Sequence, residues 1–523
     1  MDLRDIKADY EASKRTSRFQ RRRRGIPSMG AGGDYHYRAE SDFLWMSEVA
    51  RDMYRNDPVI GQLTDRAVIN WIGSGLTPDP DTGDKALDKD LKERWCEESE
   101  EPDDCDLSGE LTFHEQELMF GREMLVAGDV FGVFVEGGTV QMLESHRCRS
   151  PYRTQRNIVH GIELDRITRR RKMAYFTKEP VDAFAEQSRI TIKDLEFVPF
   201  RREDGEANVM QVYSPKRCSQ TRGITAYAPI ITQAGMFDDL NFAHLLKAQL
   251  NAFWLMVRKR DQTFFDANPN LQRLGVPDSY LSGSRRVEQV APGSEIEANP
   301  GESIEPWNPN TPPAEFFNHA RLILTLIGIN LGMPLVITLM DASETNFSGF
   351  RGAVDQARMG FRHNQRIMRS RFHRPYYRNK LNFWADYDLS YARQRERLGK
   401  AYLNHKWAVP GWPYIEPLSD AKADLIRTAH MQSSPRRIAV ERGFDWDEIV
   451  AETVEDRAAA IRLGCAEAQK LNKDFNLSGN DMVSWRDIAP LPAPTGVTVS
   501  LADNPQATSN STSGAKANAK PTA

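Results

Sequence analysis

His114-Glu115 opens the pattern by which a helix holds zinc, with histidines at i and i+4 and a glutamate between them as base. Position 118 is Leu118, so the second ligand is missing. His146-x-Cys148 pairs two metal-binding residue types, but no paired cysteine motif completes a site. Gly399-Lys400 is followed by Ala401 and lacks the preceding loop glycine, so no phosphate cradle of the ATP-hydrolysing kind is present. No G-x-S-x-G occurs. Glu97 to Glu110 holds eight carboxylates and no cation. It lacks the alternating ligands and central glycine of a calcium loop and reads as a solvated acidic loop. A chain of this size without a motif for nucleophile, metal or cofactor points to an architectural protein. Degenerate acidic nuclease sites are the one class such a search leaves open.

The strongest charge pattern is cationic. Arg351, Arg358, Arg362, Arg366 and Arg369 fall in a segment, 350–374, with a single acid, Asp355. Val354, Ala357, Phe361 and Met368 share a face of the same segment, so it is expected to be an amphipathic helix whose arginines meet a neighbouring subunit's carboxylates or DNA. Residues 1–30 carry nine Lys/Arg against four Asp/Glu, including Arg21 to Arg24, and 1–39 reads as a flexible basic arm.

The whole chain balances these charges. In 523 residues, 69 Lys+Arg against 73 Asp+Glu leave −4, which excludes a tight nonspecific nucleic-acid binder. Five cysteines, odd in number and scattered, do not make a disulfide framework, and a reducing compartment is expected. The polar N-terminus shows no secretory signal. Leu322 to Met340 is nineteen uncharged residues, long enough to span a bilayer. Asn330, Gly328, Gly332 and Pro334 interrupt it, and a helix ending at Gly332–Pro334 fits better.

The elements that must position these residues follow from periodicity. Two helices are expected over 40–75, on Phe43, Met46, Val49 and Met53 and then on Ile60, Leu63, Ala67 and Trp71. A helix over 112–127 precedes a β-hairpin, 130–144, around Gly137-Gly138. Strands continue to about 215. A long helix is expected over 226–260, its apolar surface wide enough to be packed on more than one side, with Arg258-Lys259-Arg260 at its C-terminus. Residues 261–313 read as a compact non-helical module, 314–332 as helix, 333–349 as loop and 386–475 as helices broken by Pro410-Gly411-Trp412-Pro413. The tail, 487–523, reads as disordered.

Several blocks, taken in order, resemble the lambda family of phage portal proteins. They are Arg51-Asp52-Met53 through Asn56-Asp57-Pro58, then Asn70-Trp71-Ile72-Gly73-Ser74-Gly75-Leu76. Gln220-Thr221-Arg222-Gly223-Ile224-Thr225 with Ala228-Pro229-Ile230 follows, similar to the family's Q-x-R-G-x-S and A-P-[IV] lead-in to a long helix. Pro292-Gly293-Ser294-Glu295-Ile296, Pro300-Gly301-Glu302-Ser303-Ile304, Pro309-Asn310-Thr311-Pro312 and Phe316 are similar to its strand pair. Gly332-Met333-Pro334, Asp341 and Asn346-Phe347-Ser348-Gly349-Phe350-Arg351 resemble its loop, where Phe347 and Gly349 replace the more usual Tyr and Ser. Trp412-Pro413-Tyr414-Ile415-Glu416-Pro417 and Glu441-Arg442-Gly443-Phe444-Asp445 resemble its C-terminal part. Each block is short, and their order over about residues 40–460 carries the resemblance.

The resemblance implies an α+β multidomain portal fold in a ring of about twelve copies. It implies an α/β wing at 40–225, a two-helix stem at 226–260 and 314–332, a clip at 261–313 and a tunnel loop at 333–349, while the basic arm at 1–39 lies outside it. It further implies a long helix and helical wing part at 350–450 and a crown at 451–486, and the tail at 487–523 again lies outside it. It implies a channel at the unique capsid vertex for packaging and ejecting double-stranded DNA. The expected partners are the terminase large subunit, a head-tail adaptor and the major capsid or scaffolding protein. No membrane, cofactor, metal or catalytic residue is expected, and assembly is expected in the host cytoplasm. The rival reading is a DNA-packaging enzyme, a terminase-like ATPase or nuclease. Loop residues Thr338, Asp341, Ser343, Glu344, Thr345 and Asn346 are expected to approach the DNA. Helices about 8–10 Å apart in a ring of about twelve leave a bore of roughly 20–28 Å once a helix width is subtracted, and a duplex is roughly 20 Å across. A slightly acidic subunit suits sliding, because each neutralised phosphate must be released at every step.

Overall fold

A computed structural model describes residues 40–252, 256–260, 302–306 and 314–489, apart from short gaps at 136, 153–156, 181–189, 342, 344, 413–414 and 479–480. The expected arm, most of the expected clip and most of the expected tail lie outside the described residues.

In chain order the elements are α1 (Glu40–Asn56), α2 (Pro58–Ile72), β1 (Thr77–Pro80), α3 (Lys85–Glu100), α4 (Pro102–Cys105) and α5 (Phe113–Val126). Strands β2 (Asp129–Phe134), β3 (Val140–Glu144), β4 (Ile158–Val159), β5 (Ile162–Leu164), β6 (Arg171–Thr177), β7 (Leu195–Pro199) and β8 (Val209–Tyr213) follow. Then come α6 (Ile231–Ala252), β9 (Met256–Arg260), β10 (Glu302–Pro306), α7 (Ala314–Asn330), α8 (Leu335–Leu339) and α9 (Phe347–Met368). A π-turn (Arg369–His373) leads into α10 (Arg374–Tyr387) and α11 (Leu389–Leu398). The chain closes with β11 (His405–Ala408), α12 (Pro417–Ala429), α13 (Pro435–Glu441), α14 (Trp446–Asp474) and α15 (Trp485–Ile488). The chain divides into two compact units, one of residues up to Trp71 with Glu93–Leu403, the other of Ile72–Lys92 with residues from Asn404 onward.

The larger unit is built on two antiparallel sheets, ordered β3-β2-β8 and β4-β5-β6-β7. The hairpin expected at 130–144 forms, with Phe131 opposite Leu143 and turn glycines Gly137 and Gly138 at φ 94° and 77°. Phe131, Leu143, Cys148, Ile162, Ala174, Phe176 and Val209 fill the core between the sheets. α5 begins at a capping box, Thr112 with Glu115, which satisfies two of the helix's orphan N–H groups.

One side chain ties this core together. Arg222 has no exposed surface. Its Nε donates to Asp129 Oδ2 (2.6 Å), its Nη1 to the carbonyls of Cys148 and His160 (3.0 and 2.8 Å), and its Nη2 to Asp129 Oδ1 and the Ser145 carbonyl (3.1 and 2.6 Å). All five N–H donors of the guanidinium are used. The rings of Phe43 and Phe131 lie 4.8 and 5.0 Å from it. The neighbouring glycine is required by space, because a Cβ on Gly223 would overlap the Gly128 carbonyl oxygen. Gly223 N donates to Asp129 Oδ2 at 3.0 Å, and Gln220 accepts from Lys216 N at 2.7 Å. The Gln220-x-Arg222-Gly223 block is therefore a folding clamp that aims the chain into α6.

Several sequence expectations are corrected. The acidic run is not a solvated loop: its first part ends α3 and its centre forms α4. Glu98 accepts from Lys380 Nζ (3.2 Å) and Trp384 Nε1 (2.8 Å), and Cys105 and Asp106 are buried. Arg94 pairs with Glu98 from within α3 (2.9 Å), but Lys380 and Trp384 lie nearly 300 residues away in sequence. His146 packs with its Nδ1 3.1 Å from both Glu144 and Arg51. The helix expected over 226–260 stops at Ala252, and Arg258-Lys259-Arg260 belong to a strand paired with Ile304, Ser303 and Glu302. That strand's hydrogen-bond partner arrives some forty residues later, a non-local pairing that helical periodicity does not register. The uncharged run 322–340 is split between α7 and α8 by Gly332 at φ 73°, and no helix among the described residues is long and apolar enough to cross a membrane.

In the smaller unit β1 pairs antiparallel with β11, Thr77 opposite Ala408, a strand inside a stretch expected to be helical. Lys92 bonds Asp445 at 2.8 Å, and Gly464 of α14 meets the Ala489 methyl group.

Replacing Arg222 with Met leaves Asp129 buried without its counter-charge. The Arg222→Met variant is expected to lose about 3–5 kcal/mol of stability, read by urea unfolding of the full chain. A loss below about 1 kcal/mol, the scale of a surface ion pair, is incompatible with the clamp.

Candidate DNA-facing and subunit-facing surface

The residues singled out for contact lie in α8, in the loop after it and along α9 up to the π-turn, and the helices α6 and α7 precede them in the larger unit. α6 and α7 pack against each other, with the His244 and Phe316 rings 3.8 Å apart. Asn330, at the end of α7, donates to the Ala226 carbonyl just before α6 (2.6 Å), so the Arg222 clamp positions both helices. The outer faces are apolar. On α6, Phe242, Leu245 and Leu246 are exposed, Phe242 by 69%. On α7, Leu322, Leu326 and Ile329 recur at i, i+4 and i+7 and are exposed by 55, 45 and 65%. Of the wide apolar surface expected for the first of these helices, the described residues Phe242, Leu245 and Leu246 are left exposed by the described chain, and much of the rest lies outside the described side chains.

The loop is more ordered than expected. Thr338 is buried in α8, where its hydroxyl donates to the Pro334 carbonyl (3.1 Å) and closely approaches Gly328 of α7. It is not a contact residue, because the short helix turns it inward. Arg66 donates to the Ile337 carbonyl at 3.3 Å. Asp341 and Ser343 are exposed. Asp341 accepts from Ser343 N (2.8 Å), and hydrogen bonds from the Ser343 backbone and hydroxyl hold its carboxyl below the ordinary value. Thr345 is half-buried, and Glu344 lies outside the described residues. Asn346 caps α9, its side-chain oxygen accepting from Gly349 N (2.7 Å). The Phe347 and Gly349 departures from the family pattern thus leave a working cap.

α9 is amphipathic as expected. Ala357, Phe361, Gln365 and Met368 are buried, and Gln365 donates to the Trp71 carbonyl (2.7 Å). Arg358, Arg362, Arg366 and Arg369 each follow one of these by a single residue, so they form a parallel stripe one step round the helix. Arg362, Arg366 and Arg369 are exposed, whereas Arg351 and Arg358 are half-buried and Arg358 meets Asp355 at 3.5 Å.

The anchor of this helix has no sequence signature of its own. Pro375 has no N–H to offer the Arg371 carbonyl, and the helix widens just before it, with Arg374 N bonding the Arg369 carbonyl instead. His373 ends the widened turn, fully buried, its Nε2 2.5 Å from Glu117 Oε1 of α5. Glu117 also meets His114 Nδ1 at 3.3 Å. Burial works against the Glu117 carboxylate, but His373 and His114 outweigh it and hold the carboxyl below its ordinary value. His114, the residue that suggested zinc, is therefore a partner of this carboxylate. No cluster of potential metal ligands occurs among the described residues.

Comparison with known proteins comes to the same family as the sequence blocks. A family model described as phage portal protein, lambda family, matches residues 22–365. No curated protein matches the chain. Among solved structures, a chain from the virion of a native gene transfer agent particle aligns at 11% identity and TM-score 0.40, covering 79% of this chain and 96% of that one. A chain from the neck of the empty particle, computed with C6 symmetry, aligns at 10% and 0.41, with the same coverages. At these values the structural likeness is distant.

The depressed Glu117 carboxyl stabilises the fold above the unfolded carboxylate value of about 4.3, and that contribution is lost as pH falls through the lower folded value. Glu117→Gln is therefore expected to be less stable than the natural chain at pH 7 and to converge with it below about pH 4. Thermal unfolding across pH 3–7 measures this, and parallel curves at all pH values contradict the pairing.

Proposed function

This chain belongs to the lambda family of phage portal proteins, and from that premise we propose that about twelve copies close into a ring at one capsid vertex, joined by heterologous contacts of the kind that generate rings. The observation that carries this reading is the pair of apolar outer stripes, Phe242, Leu245 and Leu246 on α6 and Leu322, Leu326 and Ile329 on α7. Side chains of that size at helical spacing are left in water only when another surface covers them. A second copy is the fitting cover, because a ring juxtaposes two different faces of the same chain.

In this reading α6 and α7 form the stem, 261–313 the clip and 333–349 the tunnel loop. The remaining expected parts, the wing, long helix and crown, take the boundaries read from the sequence. Double-stranded DNA passes through the bore in packaging and ejection. Asp341, Ser343, Thr345 and Asn346 face it, with Glu344 between them. A loop without a cation and a subunit of net charge −4 let the duplex slide instead of binding it. The exposed stripe of Arg362, Arg366 and Arg369 pairs with carboxylates of the adjacent copy. The protein does no chemistry: packaging energy comes from a terminase docked on the clip, which a head-tail adaptor later replaces. The ring assembles in the host cytoplasm with the major capsid or scaffolding protein.

Negative-stain microscopy of the purified chain is expected to show rings with a bore of roughly 20–28 Å. Leu245→Glu and Leu326→Glu are each expected to abolish rings while leaving the circular dichroism spectrum unchanged. A natural chain that stays monomeric at every concentration, or a lumen too narrow for a duplex, ends this reading. Deleting 261–313 is expected to abolish terminase docking in a pull-down while rings still form, and retained docking removes the clip assignment.

A further inference from the structure

The larger unit holds a second cationic feature, independent of the ring and of the arginine stripe. Arg171 starts β6, Tyr213 ends β8 and Arg371 lies in the π-turn, so two sheets and a helix junction meet here. Arg371 stacks over the Tyr213 ring with its guanidinium carbon 4.0 Å from the centroid. Arg171 donates through Nη2 to the Tyr213 hydroxyl (2.5 Å) and to the Thr221 carbonyl (3.2 Å), with its guanidinium carbon 5.0 Å from the same ring. Both arginines are half-buried. Among the described residues, neither has a carboxylate within ion-pair distance, unlike Arg222, Arg149 and Arg378 in the same unit. Burial lowers the Arg171 guanidinium, its contacts with Tyr213 oppose this, and the like charge of Arg371 adds to the lowering.

A third residue joins the same place through its backbone carbonyl. Thr221 is 4% exposed, and its hydroxyl oxygen is buried without a hydrogen-bond partner, although its carbonyl is held by Arg171 and Gln211. An orphaned buried hydroxyl is costly unless something accepts from it. Arg169 reaches the loop carrying Thr221 at the Ser219 carbonyl (3.4 Å).

We propose that Arg171, Arg371 and the Thr221 hydroxyl form a binding site for a phosphate-class oxyanion. Planar guanidinium forks match the oxygens of a tetrahedral anion, and the hydroxyl supplies one further donor. Asp129 acts on Arg171 only from beyond ion-pair distance, and the anion supplies a counter-charge in direct contact. The free ion and the phosphodiester of a nucleic acid share this chemistry.

The test uses the full chain in potassium phosphate against potassium chloride at matched ionic strength, with titration calorimetry and thermal unfolding as readouts. Phosphate is expected to raise the melting temperature of the natural chain above its value in chloride. Thr221→Val keeps the volume, and Arg371→Gln keeps a planar group over Tyr213. Each is expected to weaken phosphate binding about tenfold, the loss of one charge-assisted hydrogen bond or fork. Thr221→Val is expected to be at least as stable as the natural chain in chloride, because it removes an unsatisfied buried group. A short DNA duplex forms the second arm: a response there that both variants lose assigns the anion to a phosphodiester, and a response to inorganic phosphate alone assigns it to the free ion. No phosphate-specific response in the natural chain, or equal responses in both variants, overturns the site and leaves ordinary water as the partner of Thr221.

Discussion

The architecture depends on a buried charge pair that is almost entirely satisfied. Arg222 and Asp129 are both without exposed surface, and such a pair repays its desolvation only when the remaining donors and acceptors are also used. Here they are. The guanidinium reaches the carbonyls of Ser145, Cys148 and His160 as well as both carboxylate oxygens, and Asp129 accepts in addition from Gly223 N and Gln211 Nε2. One residue thereby joins β2, the turn after β3, the segment before β4 and the lead-in to α6.

That junction explains how a mixed sheet domain presents two long helices with apolar exteriors. The chain leaves Arg222 and crosses Gly223 where only a glycine fits. Ala226 and Tyr227 then anchor it, Ala226 N to the Leu125 carbonyl (2.9 Å) and the Tyr227 hydroxyl to Thr64. Asn330 returns to the Ala226 carbonyl from the far end of the second helix. The start of α6 and the end of α7 are therefore tied to each other and to α2 and α5, and the outer stripes are held in place before any neighbour arrives. A surface prepared in this way loses little conformational entropy on association.

The arginine helix is mounted by a different device. Its start is capped by Asn346, and its end widens into a π-turn because Pro375 lacks a donor. The buried His373 then joins it to Glu117 on α5. Phe372 stacks on Phe113 and Phe120 at 5.5 and 4.6 Å beside it. The same π-turn supplies Arg371 to the proposed anion site, so one irregularity of the backbone serves both the mounting of α9 and the Tyr213 cluster.

Local pattern was enough for much of this. The amphipathic stripes of α1, α2 and α9, the helix α7, the hairpin around Gly137-Gly138 and the break at Gly332 all follow from side-chain periodicity and turn chemistry, which neighbouring residues decide among themselves. The ordered family blocks identified the kind of protein, and the Gln220 to Thr225 block marked the clamp without saying what it clamps. Tertiary structure decided the rest, wherever a partner distant in sequence outweighs local preference. Lys380 and Trp384 draw Glu98 out of a run that reads as solvated, Glu302 to Pro306 turn the end of an expected helix into a strand, and α8 turns Thr338 inward. The Tyr213 cluster belongs here too, because its members come from positions 171, 213, 221 and 371. Sequence spacing carries periodicity within an element, but the pairing of charges and backbone groups between elements is set only when the chain closes on itself.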